Sequence, residues 1–367
     1  MLVCDIAIIG AGIAGASLAA ELAALDPQRR IVLFEREPQP GYHATGRSAA
    51  FWDECYGGPQ IVPLTQASGP WLAEHGFLSP RGALYLAPPE CLGAVAAFLA
   101  DYAASGVALH PLGRAGLAAH VPGLRAGWDS GVWQPACADI DVAALHAHYL
   151  ARARASGVEL RARAAVDEIA RTAAGWRLTG RGVAAECGTL VNAAGAWADD
   201  VAVRAGMRPL GITPLRRTMA QLRVDPPPPA ALPLVIGLDG SFYFRPDGTR
   251  LWLSPHDETP SPPCDAAAEE LDVARAIHRF GEVADWPVAA VEHRWAGLRS
   301  FAPDRRPVYG RDPRDRAFVW FAGQGGFGIQ TAPAAARLTA QLLCGAPPDA
   351  MTAGLDPAYY APDRLIA

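Results

Sequence analysis

Apolar and polar positions change period several times along this chain. Val3, Ile6, Ala7, Ile8 and Ile9 form a short, nearly continuous apolar run, the pattern of a strand covered on both faces. A glycine turn and a helical stretch follow, and Ile31–Phe34 reads as a second strand. Periodicity is then lost through PQPGYHATGRSAAFWDECYGG, a long loop of small and polar residues. Leu64–Phe77 reads as partly helical with a break at Gly69-Pro70, Leu84–Ala87 as a short strand, and Cys91–Gly106 as a helix ended by glycine. Asp139–Asp141 leads into a helix that stops at Gly157. Val158–Val166 alternates, with Arg161 and Arg163 on one solvated side. Trp176–Leu178 and Val183–Cys187 read as strands, and Leu190–Gly206 repeats the opening order of strand, small-residue turn and helix.

Between Ile212 and Val291 the pattern changes again. After the exposed connection Asp225–Pro229 and around it lie strand-like pieces at Met219–Val224, Ser241–Arg245 and Leu251–Leu253, with one helix near Ala266–Phe280. The end returns to strand (Ala317–Phe321), glycine turn (Gly323–Gly328) and helix (Ile329–Leu343). The expected fold class is α/β (α+β overall). A Rossmann-like domain over residues 1–78, 140–211 and 297–367 is interleaved with a substrate domain on an antiparallel sheet, residues 79–139 and 212–296.

The first turn carries chemistry. Gly10, Gly12 and Gly15 form G-x-G-x-x-G between a strand and a helix. The first allows a sharp turn, the second allows a pyrophosphate to approach the main chain, and the third lets the helix lie on the strand. Free amides and the positive end of the helix dipole would face the phosphates. Glu35 closes the second strand twenty residues after Gly15, where an acid can bond both hydroxyls of an adenosine ribose. The motif alone does not say which dinucleotide. Asn192–Trp197 would bring a second backbone turn to the cofactor. Units at the start, middle and end, with antiparallel material inserted twice, differ from the consecutive βαβ units of NAD dehydrogenases and suit an interrupted FAD domain.

Composition narrows the chemistry. The chain has 367 residues, 51% hydrophobic and 19% charged, enough for a substantial core. Its net charge of −5 offers no general attraction to nucleic acid. Lysine is absent and all 32 basic residues are arginine. A P-loop lysine, a pyridoxal Schiff base and a lysine general base are excluded, and the arginines can bind anions without serving as bases. Seven scattered cysteines, without a C-x-x-C pair, read as reduced thiols of a cytoplasmic protein. Neither a leader sequence nor a membrane span is expected. His146 and His148, two residues apart, would not share a helix face and read as surface histidines; no metal site is expected.

GAGIAGAS, GYHATGRSAA, ADIDVAALH, VNAAGAWAD, HRWAGLRSF and GQGGFGIQT together resemble the D-amino-acid oxidase-type FAD oxidoreductases, over nearly the whole chain and in the same order. Within that group the D-arginine dehydrogenases are most similar. The resemblance implies oxidation of a Cα–N bond by hydride transfer to flavin, giving an imino acid and then a 2-oxo acid and ammonia. It places the carboxylate-binding arginine at Arg299, a second substrate-holding arginine at Arg217 (beside Arg216), and a carboxylate-bonding tyrosine at Tyr243. Tyr56 matches a tyrosine on a mobile lid, and Gly326 and Gln330 would sit near flavin or substrate. For the flavin it implies Gly10, Gly12, Gly15, Glu35, Arg36, Thr45, Ser48, Ala49, Val166 and Gly195. No cysteine lies between Arg299 and Gly310, where related sarcosine oxidases bond flavin covalently, so noncovalent FAD is expected. O2 or a quinone would be the acceptor, the latter implying peripheral contact with the inner membrane surface.

The sequence departs from the D-arginine pattern at three places. Gly82-Ala83 follows Ser79-Pro80-Arg81 where a guanidinium-pairing glutamate is expected, Phe51 replaces a loop histidine, and Gly240 stands where another glutamate would be. A buried cation without its partner costs several kcal/mol in effective terms. Asp53 and Glu54 offer a substitute charge, but the favoured substrates are D-amino acids with neutral or apolar side chains. Two alternatives stand beside this: oxidation of a secondary amine or 2-hydroxy acid, and a non-catalytic FAD-binding subunit.

Overall fold

A computed structural model describes residues 1–91 and 93–366. Among them the chain builds sheets of eight, ten and three strands. Leu2–Ile9 lies inside the eight-stranded sheet, parallel to Ile31–Phe34 on one side and Val183–Asn192 on the other. Such a strand has two faces to cover, and its apolar run does so. Ile6 and Ile8 enter a core with helices Ile13–Leu25, Val142–Ala155 and Ala332–Cys344, whereas Ala7 enters a second core with Trp176 and Trp320. Alanines line the helix contacts and allow close approach, while Leu18 and Leu22 are fully buried; each such leucine contributes about 1.5–3 kcal/mol. Glu21, only 3% exposed, pairs at 2.9 Å with Arg152 and at 2.9 Å with Arg337, so one carboxylate ties three helices.

Val183–Asn192 is one strand, not two. Its first half pairs antiparallel with Gly175–Gly180 and its end pairs parallel with Phe318–Ala322. The three glycine or small-residue turns therefore emerge side by side at one edge of the sheet.

The ten-stranded sheet is dominated by Thr213–Val224 against Val288–Phe301, antiparallel; one of its pairs, Leu234–Gly237 with Ala83–Leu86, is parallel. Helix Glu270–Val283 covers one face through Val273, Ala276, Phe280 and Val283, spaced for a single helical stripe. Val288–Phe301 runs across the boundary expected at residue 297, so residues 297–301 belong to this sheet.

Several element expectations need correction. Helix Val62–Glu74 runs unbroken through Gly69-Pro70. Gly69 packs against Trp52, whose ring a Cβ would meet at 2.8 Å, and Pro70 lies on the exposed face, where water can replace the lost helical hydrogen bond. The helix expected over Cys91–Gly106 spans Ala94–Asp101, because Tyr102 turns inward to donate to the Cys55 carbonyl at 2.7 Å; Leu92 lies outside the described residues, as does Ala367. The strand expected over Val158–Val166 narrows to Glu159–Arg161, with Arg163 at φ +55°. The helix near Ala266–Phe280 begins at Glu270, the preceding segment being held by Arg47 through the Ala266 carbonyl at 2.8 Å. The last helix begins at Ala332, so Gln330 precedes it. Pro228 of the proline run is buried. His146 is not at the surface: it is 8% exposed, with its Nε2 2.9 Å from the Ala11 carbonyl of the first glycine turn. No helix of the described residues is long and apolar enough to cross a membrane.

Candidate active site

The first turn is shaped by its neighbours. Gly10 has φ +102°, and a Cβ there would lie 2.5 Å from the Ala193 carbonyl oxygen of the second turn. A Cβ on Gly15 would sit 1.8 Å from the Gly10 carbonyl oxygen. A Cβ on Gly12 would meet only the Thr45 hydroxyl, at 3.1 Å, so Gly12 leaves space mainly for a ligand. Thr45 Oγ1 accepts the Ile13 amide at 3.0 Å, and Glu35 accepts the Ala11 amide at 3.0 Å and the Glu37 amide at 2.9 Å. Among the described residues, the amides of Gly12 and Ala14 have no protein acceptor. Both line a cavity, as do Gly10, Glu35, Arg36, Thr45, Ser48, Val166 and Gly195; Gly15 and Ala49 lie outside its lining. Unsatisfied amides at a helix N-terminus beside a fixed carboxylate suit a pyrophosphate next to a ribose. Trp197, which the sequence reading left without a role, closes one side with the Arg36 guanidinium 3.9 Å from its ring centre.

The cavity continues to Arg299 and Gly326. Register explains which of two adjacent arginines lies on the Arg299 side of the sheet. Leu215 pairs with Arg299 and Arg217 with Gly297, so Arg217 and Arg299 share a face. Arg216 points to the other face and pairs with Glu269 and, at 2.9 Å, Asp272. Arg217, 2% exposed, is compensated by Glu258 at 3.2 Å and by the Asp257 carbonyl at 2.7 Å. Arg299 differs. It donates to the Tyr243 hydroxyl at 3.4 Å and forms no ion pair among the described residues. Burial opposes ionisation of Tyr243, but the charges of Arg299 and Arg217 outweigh it and lower the phenol's pKa. Tyr56 completes the group: Arg217 donates to its hydroxyl at 3.4 Å, and a Cβ on Gly326 would lie 2.7 Å from that oxygen and 3.0 Å from Arg299 Nε. Arg299, Tyr243, Arg217, Tyr56 and Gly326 thus meet.

Gln330 stands behind them. Its amide accepts from the Asp53 amide at 3.2 Å and donates to the Asp53 and Tyr56 carbonyls at 3.1 and 3.3 Å and to Thr65 Oγ1 at 2.9 Å. It clasps the loop that carries Tyr56 and does not line the cavity. The two acids of that loop are similarly committed: Asp53, fully buried, accepts from Tyr85 and the Cys55 amide, and Glu54 accepts from Gln66 and Gln134.

Burial raises the Asp53 pKa to about 6, against the smaller opposing effect of its hydrogen bonds from Cys55 and Tyr85. The folded protein therefore holds this proton more tightly than the unfolded chain between about pH 4 and 6. The associated stability is present below that window and lost as pH rises through it, by about 2–3 kcal/mol. D53N, which keeps a hydrogen-bonding group for both partners, is expected to unfold at a higher temperature than wild type at pH 8 and to lose that advantage near pH 4; equal differences at both pH values would refute this.

His256, a lone histidine in Ser-Pro-His-Asp, carries no sequence signal of its own and gains its place only in the folded chain. Its ring stacks on Tyr56, centroids 6.2 Å apart at 24°, and meets Tyr243 edge-on at 5.3 Å. Burial, followed by Arg217 and Arg299, lowers its pKa to about 2, so the imidazole is neutral.

Three turns around one cleft that ends at a cation without an ion-pair partner among the described residues define a dinucleotide-binding protein of the flavin type. The family model described as FAD dependent oxidoreductase matches residues 5–342, and the chain belongs to this family. FAD is its cofactor. The chain is 31% identical over 260 residues to glycine oxidase of Pseudomonas aeruginosa, covering 66% of this chain and 65% of that protein. It is 27% identical over 354 residues to the bifunctional protein ThiO/ThiG of Synechocystis, covering 92% of this chain and 51% of the relative. The chain thus spans about half the length of that relative. Glycine oxidase from Geobacillus kaustophilus has the same fold, with a TM-score of 0.84 at 23% identity over 98% of both chains. L-proline dehydrogenase from P. horikoshii does also, with a TM-score of 0.84 at 20% identity over 99% of this chain and 98% of that one.

Proposed function

We propose that this protein oxidises the Cα–N bond of a D-amino acid with a neutral, preferably apolar side chain. The observation that carries the proposal is Arg299, a guanidinium lining the cofactor cavity with a phenol beside it and no carboxylate within ion-pairing distance among the described residues, its charge favoured only at longer range by Tyr56, Tyr243 and Asp257. A half-buried cation is stabilised by an anion at hand, and a substrate carboxylate supplies one. Arg299 and Tyr243 hold that carboxylate, and Arg217 and Tyr56 close over it, which orients Cα toward the cavity. FAD supplies the acceptor for the hydride leaving Cα. The substrate loses that hydride and one N–H proton, leaving an imino acid that water hydrolyses to a 2-oxo acid and ammonia. We assign cofactor binding to residues 1–78, 140–211 and 297–367 and substrate contact to 79–139 and 212–296, with Arg299 reaching in from the substrate-side sheet. The preference for an uncharged side chain rests on the acids of the Tyr56 loop. Asp53 and Glu54 are occupied within the protein, and Glu258 pairs with both Arg217 and Arg305.

A second reading is glycine or a small secondary amine. Phe51 approaches Tyr56 at 4.9 Å and Tyr243 at 5.8 Å, which leaves little room for a long side chain, and the Pseudomonas relative is a glycine oxidase. Anaerobic mixing of the holoenzyme with D-methionine, D-phenylalanine, D-leucine, their L forms, glycine, sarcosine and L-proline separates the two. Bleaching of the flavin fastest by the apolar D-amino acids is expected. Bleaching by glycine or sarcosine alone would establish the second reading, and none with any amine would overturn both.

A further inference from the structure

His256 is an unusual residue to find in this position. It is a non-glycine residue at φ +54°, a conformation that costs backbone energy, and its buried Nδ1 makes no well-formed hydrogen bond, with only the Gly240 backbone as a loose partner. Three guanidinium groups, Arg217, Arg299 and Arg305, lie close enough to disfavour its protonation. Charge does not explain keeping an imidazole here. Its ring faces do have a defined contact. One stacks on Tyr56, whose hydroxyl is bonded by Arg217 and abuts Gly326 beside Arg299.

We propose that His256 is a positioning residue that holds the Tyr56 phenol against the Arg299–Gly326 end of the pocket and so sets how tightly the pocket closes on a small carboxylate. The inference rests on the proposed function for the identity of that carboxylate, but the contact itself does not. The Nδ1 edge lies toward Gly240, where a Cβ would come within 3.6 Å of it, so the polar edge looks away from Tyr56 and the flat face does the positioning. A neutral ring suits this: an imidazolium would be repelled by Arg217, Arg299 and Arg305. His256 has no direct contact with the reacting atoms in this account and acts through Tyr56.

The test uses the holoenzyme with two probes. Propionate, a carboxylate without an amine, reports pocket closure by its perturbation of the flavin visible spectrum, and D-leucine reports limiting rate and apparent affinity in anaerobic stopped-flow. H256A is expected to weaken both affinities about three- to tenfold, the range of one aromatic pair, with the limiting reduction rate changed less than about twofold. H256F should restore most of the affinity, because it keeps the face and removes the polar edge. H256N, which tolerates positive φ but cannot stack, should behave like H256A and covers the case in which strain prevents H256A from folding. In a Y56A background the His256 changes should have no further effect. Rescue by H256N and not H256F, or an equal loss in the Y56A background, would overturn the proposal. If D-leucine and every other amine fail to reduce the flavin while propionate binding follows the expected pattern, the substrate reading falls and the role of His256 stands.

Discussion

R299M is expected to lower kcat/KM for the best amino acid by about a thousandfold while FAD content stays that of wild type. Arg299 is the cation lining the pocket without an ion-paired carboxylate among the described residues, so a substrate carboxylate entering beside the methionine would lose its main counter-charge. Truncating one partner of a buried, hydrogen-bonded charge pair costs about 2–5 kcal/mol, which spans roughly thirtyfold to several thousandfold. Most of the loss should appear in KM, because the interaction is present before hydride transfer as well as during it. R299K is the informative companion. It retains charge but loses the planar fork that reaches both the carboxylate and the Tyr243 hydroxyl, so an intermediate loss of about ten- to a hundredfold is expected. Steady-state kinetics and the flavin absorbance per protein chain measure both quantities. A wild-type KM in R299M would remove Arg299 from the substrate site and with it the main support for an amino-acid substrate.

The second large effect concerns the cofactor end. G15A places a methyl carbon 1.8 Å from the Gly10 carbonyl oxygen and 3.2 Å from Leu33 Cδ1. The first obstacle is backbone, fixed by the parallel strands on both sides, so the helix would have to lift from the sheet. A loss of more than about 4 kcal/mol is expected, in the range reserved for overpacking and strain, seen as insoluble protein or as an unfolding temperature lower by about 5–10 °C with little bound FAD. G12A provides the contrast. Its methyl group would meet one hydroxyl at 3.1 Å, so the fold should survive while FAD affinity drops. A G15A protein with wild-type FAD content and unfolding temperature would show that the third glycine is not required for helix–strand contact.

These two expectations differ in how far the sequence alone foretells them. The three glycines, Glu35 and the three strand–turn–helix units are local patterns, legible because turn geometry and strand burial impose residue types at fixed spacing. Arg299, Arg217, Tyr243 and Tyr56 were reached through resemblance, and their meeting depends on sheet register over some two hundred residues, which no local pattern carries. Register also separates Arg216 from Arg217. His256 escaped notice because a single histidine after Ser-Pro has no spacing to betray it; only its neighbours Tyr56 and Tyr243 give it meaning. Gln330 shows the opposite case. It sits in the expected motif, but the contacts that occupy its amide belong to the loop at Asp53 and Tyr56, distant in sequence. The break expected at Gly69-Pro70 failed for a similar reason: the Trp52 ring makes glycine useful inside the helix, and exposure makes proline tolerable.

Residue type and short-range order are enough for the cofactor class, the alternation of dinucleotide-type units with antiparallel material, and the absence of any lysine-based chemistry. Only the tertiary structure decided which cation is left uncompensated. That is a matter of which carboxylates come within ion-pairing distance: Glu258 and Asp257 fold against Arg217, Glu269 and Asp272 against Arg216, and among the described residues Arg299 has none that close, Asp257 acting on it only from farther off. Coulombic partnership acts through space and falls off within a few ångströms in a hydrated protein, so the chain had to be folded before the pocket's vacant charge could be found.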